Sequence, residues 1–149
     1  MLLAIVVVSY ALGDVSPAIV IGRLNGIDIK KEGSGNAGTT NVARVLGLKW
    51  ALATLFFDIM KGFVAVKAGY LLAGNAGCMM AFTAVVLGHC FPVLYGFDGG
   101  KGVATTIGSA LALDWRSALI VMLIVGAIFA VSRIMAIGSC CGAIAYPFL

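Results

Sequence analysis

The sequence is poor in charged residues. Only 11% of its 149 residues are Asp, Glu, Lys or Arg, whereas 62% are hydrophobic. A soluble domain usually carries about twice that charged fraction, and a soluble globule of this length cannot hide so much apolar surface from water. The composition excludes an ordinary soluble domain. It predicts a membrane protein of one domain, residues 1–149, with room for about six spans of about 20 residues each.

Patterns for binding metal or nucleic acid are also lacking. The four cysteines lie in apolar stretches without CxxC spacing, which is typical of buried free thiols. His89 and Cys90 have no further candidate ligands that would complete a metal site. The basic residues are scattered, without the aromatic-interleaved patch that nucleic acid binding needs. We therefore expect neither a metal nor nucleic acid.

The apolar residues form segments separated by polar turns, which predicts an all-α bundle of membrane-spanning helices. The first segment has no basic start and no small-residue cleavage site after it, so we expect a retained span rather than a cleaved signal peptide. Residues 103–113 are short for a span, and a half-span, a re-entrant helix and a tilted piece all stay open. The segments are residues 2–22, 48–72, 76–97, 103–113, 117–131 and 134–149.

Basic residues are divided unevenly between the two sides of the predicted bundle. If the spans alternate, one side collects Arg23, Lys30, Lys31, Arg44, Lys49, Lys101 and Arg133. The other side collects Lys67 and Arg116. Since cytoplasmic loops carry the excess of Lys and Arg, the first side is predicted to face the cytosol. Both termini then lie outside, provided that residues 103–113 cross fully.

The first polar loop, loop 1 (residues 33–44), is rich in glycine and contains no acidic residue. Its glycines let backbone N–H groups turn toward one point, and Arg44 offers a planar guanidinium suited to phosphate or carboxylate. Glycine and asparagine are ordinary turn residues, so a plain surface loop is the alternative. We favour an anion site. Neutral hydrogen-bonding side chains there are Ser34, Asn36, Thr39, Thr40 and Asn41.

The second polar loop, loop 2 (residues 96–106), carries Gly-Gly-Lys-Gly at 99–102, before a helix start. Glycine amides and the positive end of a helix suit an anion, which Lys101 would neutralise. It is not a Walker A loop, because Gly102 rather than Ser or Thr follows Lys101. No βαβ unit surrounds it, which excludes a dinucleotide fingerprint. Two such loops on one side predict a phosphate site.

Proline and charged residues inside the predicted spans give further information. Pro92 lacks the N–H needed to continue a helix, so the third span should kink or end there. Asp58 and Lys61 lie three residues apart on one helix face and should pair. His89 is a candidate general base, although we favour a histidine satisfied by a backbone carbonyl near the kink. A helix break is expected beside Asp14.

Several motifs occur in order along essentially the whole chain. They read Gly-Ser-Gly-Asn-Ala-Gly-Thr-Thr-Asn-Val at 33–42, Asp-Ile-Met-Lys-Gly at 58–62, Gly-His-Cys-Phe-Pro at 88–92 and Gly-Gly-Lys-Gly-Val-Ala-Thr at 99–105. Residues 132–139 form a third serine-bearing stretch. Together these motifs resemble those of the bacterial acyl-phosphate:glycerol-3-phosphate acyltransferase family.

The resemblance implies an inner-membrane enzyme with a cytosolic active site. Members transfer an acyl group from acyl phosphate to the 1-hydroxyl of sn-glycerol 3-phosphate, giving lysophosphatidic acid for phospholipid synthesis. They need no metal, and we expect no cofactor and a monomer in the lipid bilayer. The residues that match the family's phosphate-handling positions are Ser34, Arg44, Lys101 and Ser139.

From the resemblance and the loops we predict two sets of site residues. The catalytic set is Asn36, His89 and Ser139. The substrate-binding set is Ser34, Gly35, Thr40, Asn41, Arg44, Gly99, Gly100, Lys101 and Gly102. Both substrates carry phosphate and acyl phosphate is already activated, so the reaction needs positioning, charge neutralisation and a proton acceptor. A substrate phosphate oxygen would accept the proton, with His89 as the second choice.

The resemblance also implies a seventh span and a C-terminal cytosolic motif with His, Asn, Arg and Glu. We expect this chain to lack both. Two alternatives to the acyltransferase therefore stay open at this point. One is a phosphate-ester-binding or transport protein on the same scaffold, and the other is an inactive truncated homologue.

Overall fold

The computed structural model describes residues 1–132, 138 and 140–142. Regular structure there is helical, as predicted. The elements are α1 (Leu2–Asp14), α2 (Pro17–Leu24), α3 (Thr39–Leu46), α4 (Leu48–Cys90), a 3-10 helix (Val93–Tyr95), α5 (Val103–Leu113) and α6 (Trp115–Ser132). Most of the predicted span 134–149, together with Arg133 and Ser139, lies outside the described residues.

The first span consists of two helices with a break between them. α1 ends at Asp14, and α2 begins at Pro17, whose fixed φ suits the first helical position. The hydroxyl of Ser16 caps α2 by accepting a hydrogen bond from the amide of Ile19 at 3.4 Å. The combined segment Leu2–Leu24 is long and apolar enough to cross a membrane. The expected break beside Asp14 is confirmed.

α4 is a helical hairpin that contains two spans. Its backbone leaves helical geometry at Ala73 and at Gly74, where φ is +58°. The two arms approach closely, since a Cβ on Gly69 would collide with the carbonyl oxygen of Gly77. Glycines at such contacts let helix backbones approach each other. The arms, residues 48–72 and 75–90, correspond to the second and third predicted spans.

The third span ends just before Pro92, as predicted, and α1 holds the chain that follows it. The hydroxyl of Tyr10 donates a hydrogen bond to the carbonyl oxygen of Phe91 at 2.5 Å. The carboxylate of Asp14 accepts one from the amide of Leu94 at 3.2 Å. These two bonds anchor the entry to loop 2 on the first span.

α5 is a half-span packed along the first arm of α4. Its 11 residues extend about 16 Å, against an apolar bilayer thickness of about 30 Å. A Cβ on Gly62 would collide with the carbonyl oxygen of Thr105, and one on Gly108 would collide with that of Ile59. Since α5 starts beside the middle of the α4 arm, loop 2 descends into the bundle to meet it.

The outer surface of the bundle is apolar. In the described part of the chain, the segments long and apolar enough to cross a membrane are Leu2–Leu24, Leu48–Tyr95 and Trp115–Ser132. Large side chains such as Leu3, Val8 and Leu71 are 76%, 67% and 82% exposed on them. Such a continuous apolar surface requires lipid rather than water. The protein is therefore an integral membrane bundle.

Candidate active site

Loop 1 is held in shape by the side chain of Asn41, which is 2% exposed. Its Nδ2 donates to the carbonyl oxygens of Ile29 at 3.1 Å and Glu32 at 3.0 Å. Its Oδ1 accepts from the amide of Ser34 at 2.8 Å. Because both amide hydrogens are used inside the loop, Asn41 positions loop 1. This corrects the expectation that its side chain binds substrate.

One face of loop 1 is buried and the other is open. Ala37 and Val42 are fully buried in a small core with Ile29 that packs against α2 and α4. Of the predicted ligand residues, Ser34, Thr40 and Arg44 are exposed, and Gly35 and Asn36 are half-buried. The buried core holds loop 1 in place, so the polar side chains on its open face have fixed positions.

Loop 2 is attached to the C-terminal end of α4 through its glycines. The amide of Gly99 donates to the carbonyl oxygen of Cys90 at 3.2 Å, and the amide of Gly100 donates to that of His89 at 3.1 Å. These two N–H groups therefore point at the helix end, not at an anion as we predicted. A Cβ on Gly99 would collide with the carbonyl oxygen of His89, so close packing explains this glycine.

The backbone donors that suit an anion lie one step further along. Gly102, with φ at +75°, is the N-cap of α5, and its own lack of a side chain leaves the helix start without a side-chain cap. The first-turn amides of a helix have no intrahelical acceptor, and they carry the positive end of the helix dipole. Lys101 is exposed beside them. The predicted cradle is thus shifted from Gly99–Gly100 toward the start of α5.

The two loops meet. A Cβ on Gly100 would come within 2.9 Å of the carbonyl oxygen of Ala37, which places the two backbones in contact. Nearby, Nζ of Lys30 lies 2.7 Å from Oδ1 of Asp98 and donates to the backbone oxygen of Asp98 at 3.1 Å. Sequence reasoning missed the role of Lys30, because its partner lies 68 residues away and no local pattern connects them.

A buried charged cluster lies behind the junction of the loops. Nζ of Lys61 is 2.9 Å from Oδ1 of Asp58 and 2.8 Å from Nδ1 of His89. The predicted pairing of Asp58 with Lys61 is confirmed. We favoured a backbone carbonyl as the partner of His89. That prediction is wrong, because Nδ1 of His89 contacts a lysine instead. At 5% exposure, His89 also lies behind loop 2 and not on its open side.

The hairpin in α4 explains how this cluster forms. Asp58 lies 15 residues before Ala73, and His89 lies 15 residues after Gly74. In an antiparallel hairpin that turns at these two residues, positions at equal distance from the turn lie at equal depth. The spacing was visible in the sequence, and a turn assigned to residues 73–74 would have indicated that Asp58 and His89 face each other.

An apolar cavity adjoins Lys101. It has a volume of about 410 Å³ and lies among the second arm of α4, α5, α6 and the short stretch at 140–142. Apart from Lys101, most of its wall is hydrocarbon, and it includes Phe82, Ile107, Ala110, Val121 and Val125. A cationic group at the edge of an apolar cavity suits a molecule with an anionic head and an acyl chain.

Within the described ranges no group of three or more His, Cys, Asp or Glu side chains could hold a metal ion. The chemistry available to the site consists of backbone amides, neutral hydroxyl and amide groups, and the cations of Arg44 and Lys101. Those groups bind and neutralise anions. Ser139, predicted as catalytic, lies outside the described residues, so its placement stays a prediction.

The fold and these loops define a polytopic membrane protein whose polar loops adjoin an apolar cavity. The sequence model of the family described as glycerol-3-phosphate acyltransferase matches residues 3–149. The chain belongs to that family, which confirms the resemblance seen in its motifs.

Individual relatives agree with this assignment. The glycerol-3-phosphate acyltransferase of Thermoanaerobacter sp. is 38% identical over 144 residues, covering 96% of this chain and 73% of the relative. The enzyme of the same name from Idiomarina loihiensis is 42% identical over 149 residues, covering 98% and 76%. This chain therefore spans about three quarters of the length of those relatives.

Solved structures share the fold. The crystal structure of PlsY (YgiH), an integral membrane glycerol 3-phosphate acyltransferase, in its glycerol 3-phosphate form is 37% identical, with a TM-score of 0.93. The match covers 97% of this chain and 74% of that one. The lysophosphatidic acid form of PlsY gives a TM-score of 0.91 at the same identity.

Proposed function

We propose that this chain acylates the 1-hydroxyl of sn-glycerol 3-phosphate with acyl phosphate as the donor, giving lysophosphatidic acid and inorganic phosphate. The observation that carries the proposal is the junction of the two loops at Ala37 and Gly100. It brings the polar face of loop 1 and the start of α5 to one place, beside the apolar cavity. Family membership and the glycerol 3-phosphate and lysophosphatidic acid forms of PlsY support it.

The reaction needs no protein nucleophile. The glycerol hydroxyl oxygen forms a bond to the acyl carbon, and the bond from that carbon to the phosphate oxygen breaks. The departing phosphate takes the electron pair, and a substrate phosphate oxygen accepts the hydroxyl proton. The contribution of the protein is to hold two phosphate-bearing molecules in reacting geometry and to neutralise their charge.

The proposed binding groups are divided between the loops. Arg44 suits the bidentate recognition of one phosphate, with Ser34, Asn36 and Thr40 as hydrogen-bonding partners. Lys101 and the first-turn amides of α5 suit the second phosphate. The apolar cavity beside Lys101 would take the acyl chain from the bilayer, which lets a lipid donor and a water-soluble acceptor meet at one place. Ser139 remains a proposed catalytic residue.

We propose that the loops face the cytosol from the inner membrane and that the enzyme acts as a monomer. The excess of basic residues on the side of the loops supports this orientation. Both loops and the cavity come from one chain, so the binding groups named above need no second copy. Light scattering of the purified protein in detergent tests this, and we expect the protein mass of one chain.

The direct test is product formation by purified protein in liposomes that contain palmitoyl phosphate and labelled glycerol 3-phosphate. We expect labelled lysophosphatidic acid. A charge-assisted hydrogen bond is worth about 1.5–3 kcal/mol, so Lys101→Met or Arg44→Met should lower kcat/KM about 10- to 100-fold. Lys31→Met is the matched control, because Lys31 is an exposed lysine outside both loops.

Two results would contradict the proposal. Folded wild-type protein that forms no product with both substrates present would exclude the acyltransferase activity. Uptake of labelled glycerol 3-phosphate into the liposomes without acylation would instead favour a transport protein. An equal loss of activity in Lys31→Met and Lys101→Met would show that general surface charge, rather than loop 2, matters.

A further inference from the structure

We propose that Lys61, inside the second span, is a positioning residue for the active site, because it holds His89 against the junction of the two loops. The inference rests on the proposed function for its catalytic consequence. Its structural part, that Lys61 controls the position of loop 2, stands on geometry alone. Lys61 lies in the first arm of α4 and is 7% exposed.

The Lys61 ammonium group is enclosed by four oxygen or nitrogen atoms. It donates to the carbonyl oxygens of Gly13 at 3.1 Å and Val15 at 2.8 Å, and it lies 2.9 Å from Asp58 and 2.8 Å from His89. The two carbonyls are available because α1 breaks there and they have no helical donor. A charge inside a membrane bundle is costly unless it is paired in this way.

His89 transmits this arrangement to the loops. Nδ1 of His89 lies 2.8 Å from Nζ of Lys61 and 3.3 Å from Oδ1 of Asp58, so the cluster holds this side of the ring in either tautomer. Nε2 lies directly against Gly100, where a Cβ would collide with it. The carbonyl oxygen of Ala37 lies on the same side of Gly100. The imidazole ring therefore forms the back wall of the junction.

The connection from the cluster to substrate is short along the chain. The amide of Gly100 is bound to the carbonyl oxygen of His89 at 3.1 Å, and Lys101 is the next residue. In the described part of the chain the hydrogen bonds and ion pair of Lys61 go to Gly13, Val15, Asp58 and His89, which lie outside both loops. The shortest connection from Lys61 to Lys101 and the start of α5 therefore runs through His89, and a longer one runs through the break at Asp14 to the amide of Leu94.

Cys90 provides a way to measure the position of loop 2 without substrate. A Cβ on Gly102 would come within 2.9 Å of Sγ of Cys90, so the loop covers this thiol. Cys78 is buried in the same arm of α4, between α5 and the first arm. A shift of loop 2 exposes Cys90 alone, whereas loosening of the whole bundle exposes both thiols.

The experiment compares Lys61→Met with Lys67→Met in the full chain. Lys67 lies on the same helical arm but is exposed and near the ring of Phe63 at 5.9 Å, so it is a matched control. Alkylation by iodoacetamide is followed for each cysteine by peptide mass spectrometry over a pH series. The plateau rates of the fully ionised thiols are compared, so that the loss of a nearby lysine charge does not enter the comparison. We expect faster modification of Cys90 in Lys61→Met, an unchanged rate at Cys78, and wild-type rates in Lys67→Met.

Kinetics test the catalytic consequence in the same proteins. A displacement of about 1 Å at a binding group lowers kcat/KM by about 100-fold, and we expect a loss approaching this in Lys61→Met with none in Lys67→Met. If Lys61 acts through His89, adding Lys61→Met to His89→Ala produces little further loss. Full additivity of the two substitutions would overturn the proposed route.

The thiol measurement also separates this inference from the proposed function. If wild-type protein makes no product, the proposed function fails, and the rates at Cys90 still decide whether Lys61 holds loop 2. Unchanged rates at Cys90 in Lys61→Met overturn the inference, and so does an equal rise at Cys78, which indicates a general structural role. If Lys61→Met does not fold, His89→Ala receives the same measurement and the same criteria.

Discussion

Among single residues, the glycines of loop 2 show why a motif does not reveal how each of its members acts. Gly99 and Gly100 suggested a cradle of free amides, yet their amides close the end of α4. Their small size is what the fold uses, since any Cβ there would meet the backbone or the ring of His89. The anion-facing amides are expected at the start of α5 instead.

Gly100→Ala tests this assignment. The added methyl group would collide with Nε2 of His89 and approach Ala37, so the substitution should displace Lys101. We expect kcat/KM for glycerol 3-phosphate to fall by as much as about 100-fold. The measurement is steady-state kinetics in liposomes. Gly126→Ala is the control, because a Cβ at Gly126 meets nothing within 4 Å. Wild-type kinetics in Gly100→Ala would contradict the close packing.

Among helices, the contact between α4 and α5 depends on two glycines that face each other's backbones. Gly62 abuts Thr105 and Ser109, and Gly108 abuts Ile59. Such contacts let a helix of 11 residues remain in the bundle although it is too short to span. The position of α5, and with it the helix start near Lys101, therefore depends on small residues in the middle of α4.

Gly62→Ala should separate these helices. Forcing a methyl group into a packed contact typically costs about 1–3 kcal/mol, so we expect a lower thermal unfolding midpoint in detergent. The same exchange at the open position, Gly126→Ala, should instead be neutral or stabilising, because alanine is favoured over glycine in a helix by about 0.5–1 kcal/mol. Equal effects of the two substitutions would rule out a specific contact at Gly62.

The start of α6 depends on Asp114. Its carboxylate accepts hydrogen bonds from the amide of Arg116 at 3.1 Å and from the hydroxyl of Ser117 at 2.5 Å. This is the geometry of a helix N-cap. The bond from Ser117, with those from the backbone, lowers the pKa of Asp114 below its ordinary value. The charged form of Asp114 is therefore the one that the folded protein favours.

A pH series tests this cap through the difference in unfolding midpoint between wild type and Asp114→Ala. Since the pKa of Asp114 is depressed on folding, its contribution is complete above the unfolded value, about 3.9 for Asp. It is lost as pH falls through the lower folded value. We expect a difference that is constant near neutral pH and narrows below about pH 4. A difference independent of pH would exclude a role for the charge.

For the whole molecule, the distribution of basic residues predicts how the bundle is oriented in the membrane. In a variant without native cysteines, Glu32→Cys lies before loop 1 and Asn75→Cys lies at the turn of α4; both positions are exposed. We expect an impermeant maleimide to label Asn75→Cys in intact spheroplasts and Glu32→Cys only after permeabilisation. The positive-inside rule is the physical reason. The reverse pattern of labelling would place the loops outside.

Patterns that act locally along the chain were sufficient to predict much of this protein. Hydropathy predicted the helices, because a segment in lipid must be apolar and must satisfy its backbone hydrogen bonds internally. Pro92 predicted the end of the third span, because proline lacks the N–H needed to continue a helix. The pairing of Asp58 with Lys61 followed from helical spacing. The loop motifs indicated the family, and residues 3–149 match it.

Contacts between distant segments could not be predicted from local patterns in the sequence. Lys30 reaches Asp98 across 68 residues, and Lys61 reaches both the break in α1 and His89. The amides of Gly99 and Gly100 find acceptors at the end of α4. Each of these depends on how the helices pack, since a donor's partner is set by which backbone comes near it and not by its neighbours in the chain. The sequence motifs identified the two loops. The packing of α1, α4 and α5 decided which residues within them hold the backbone and which face the site.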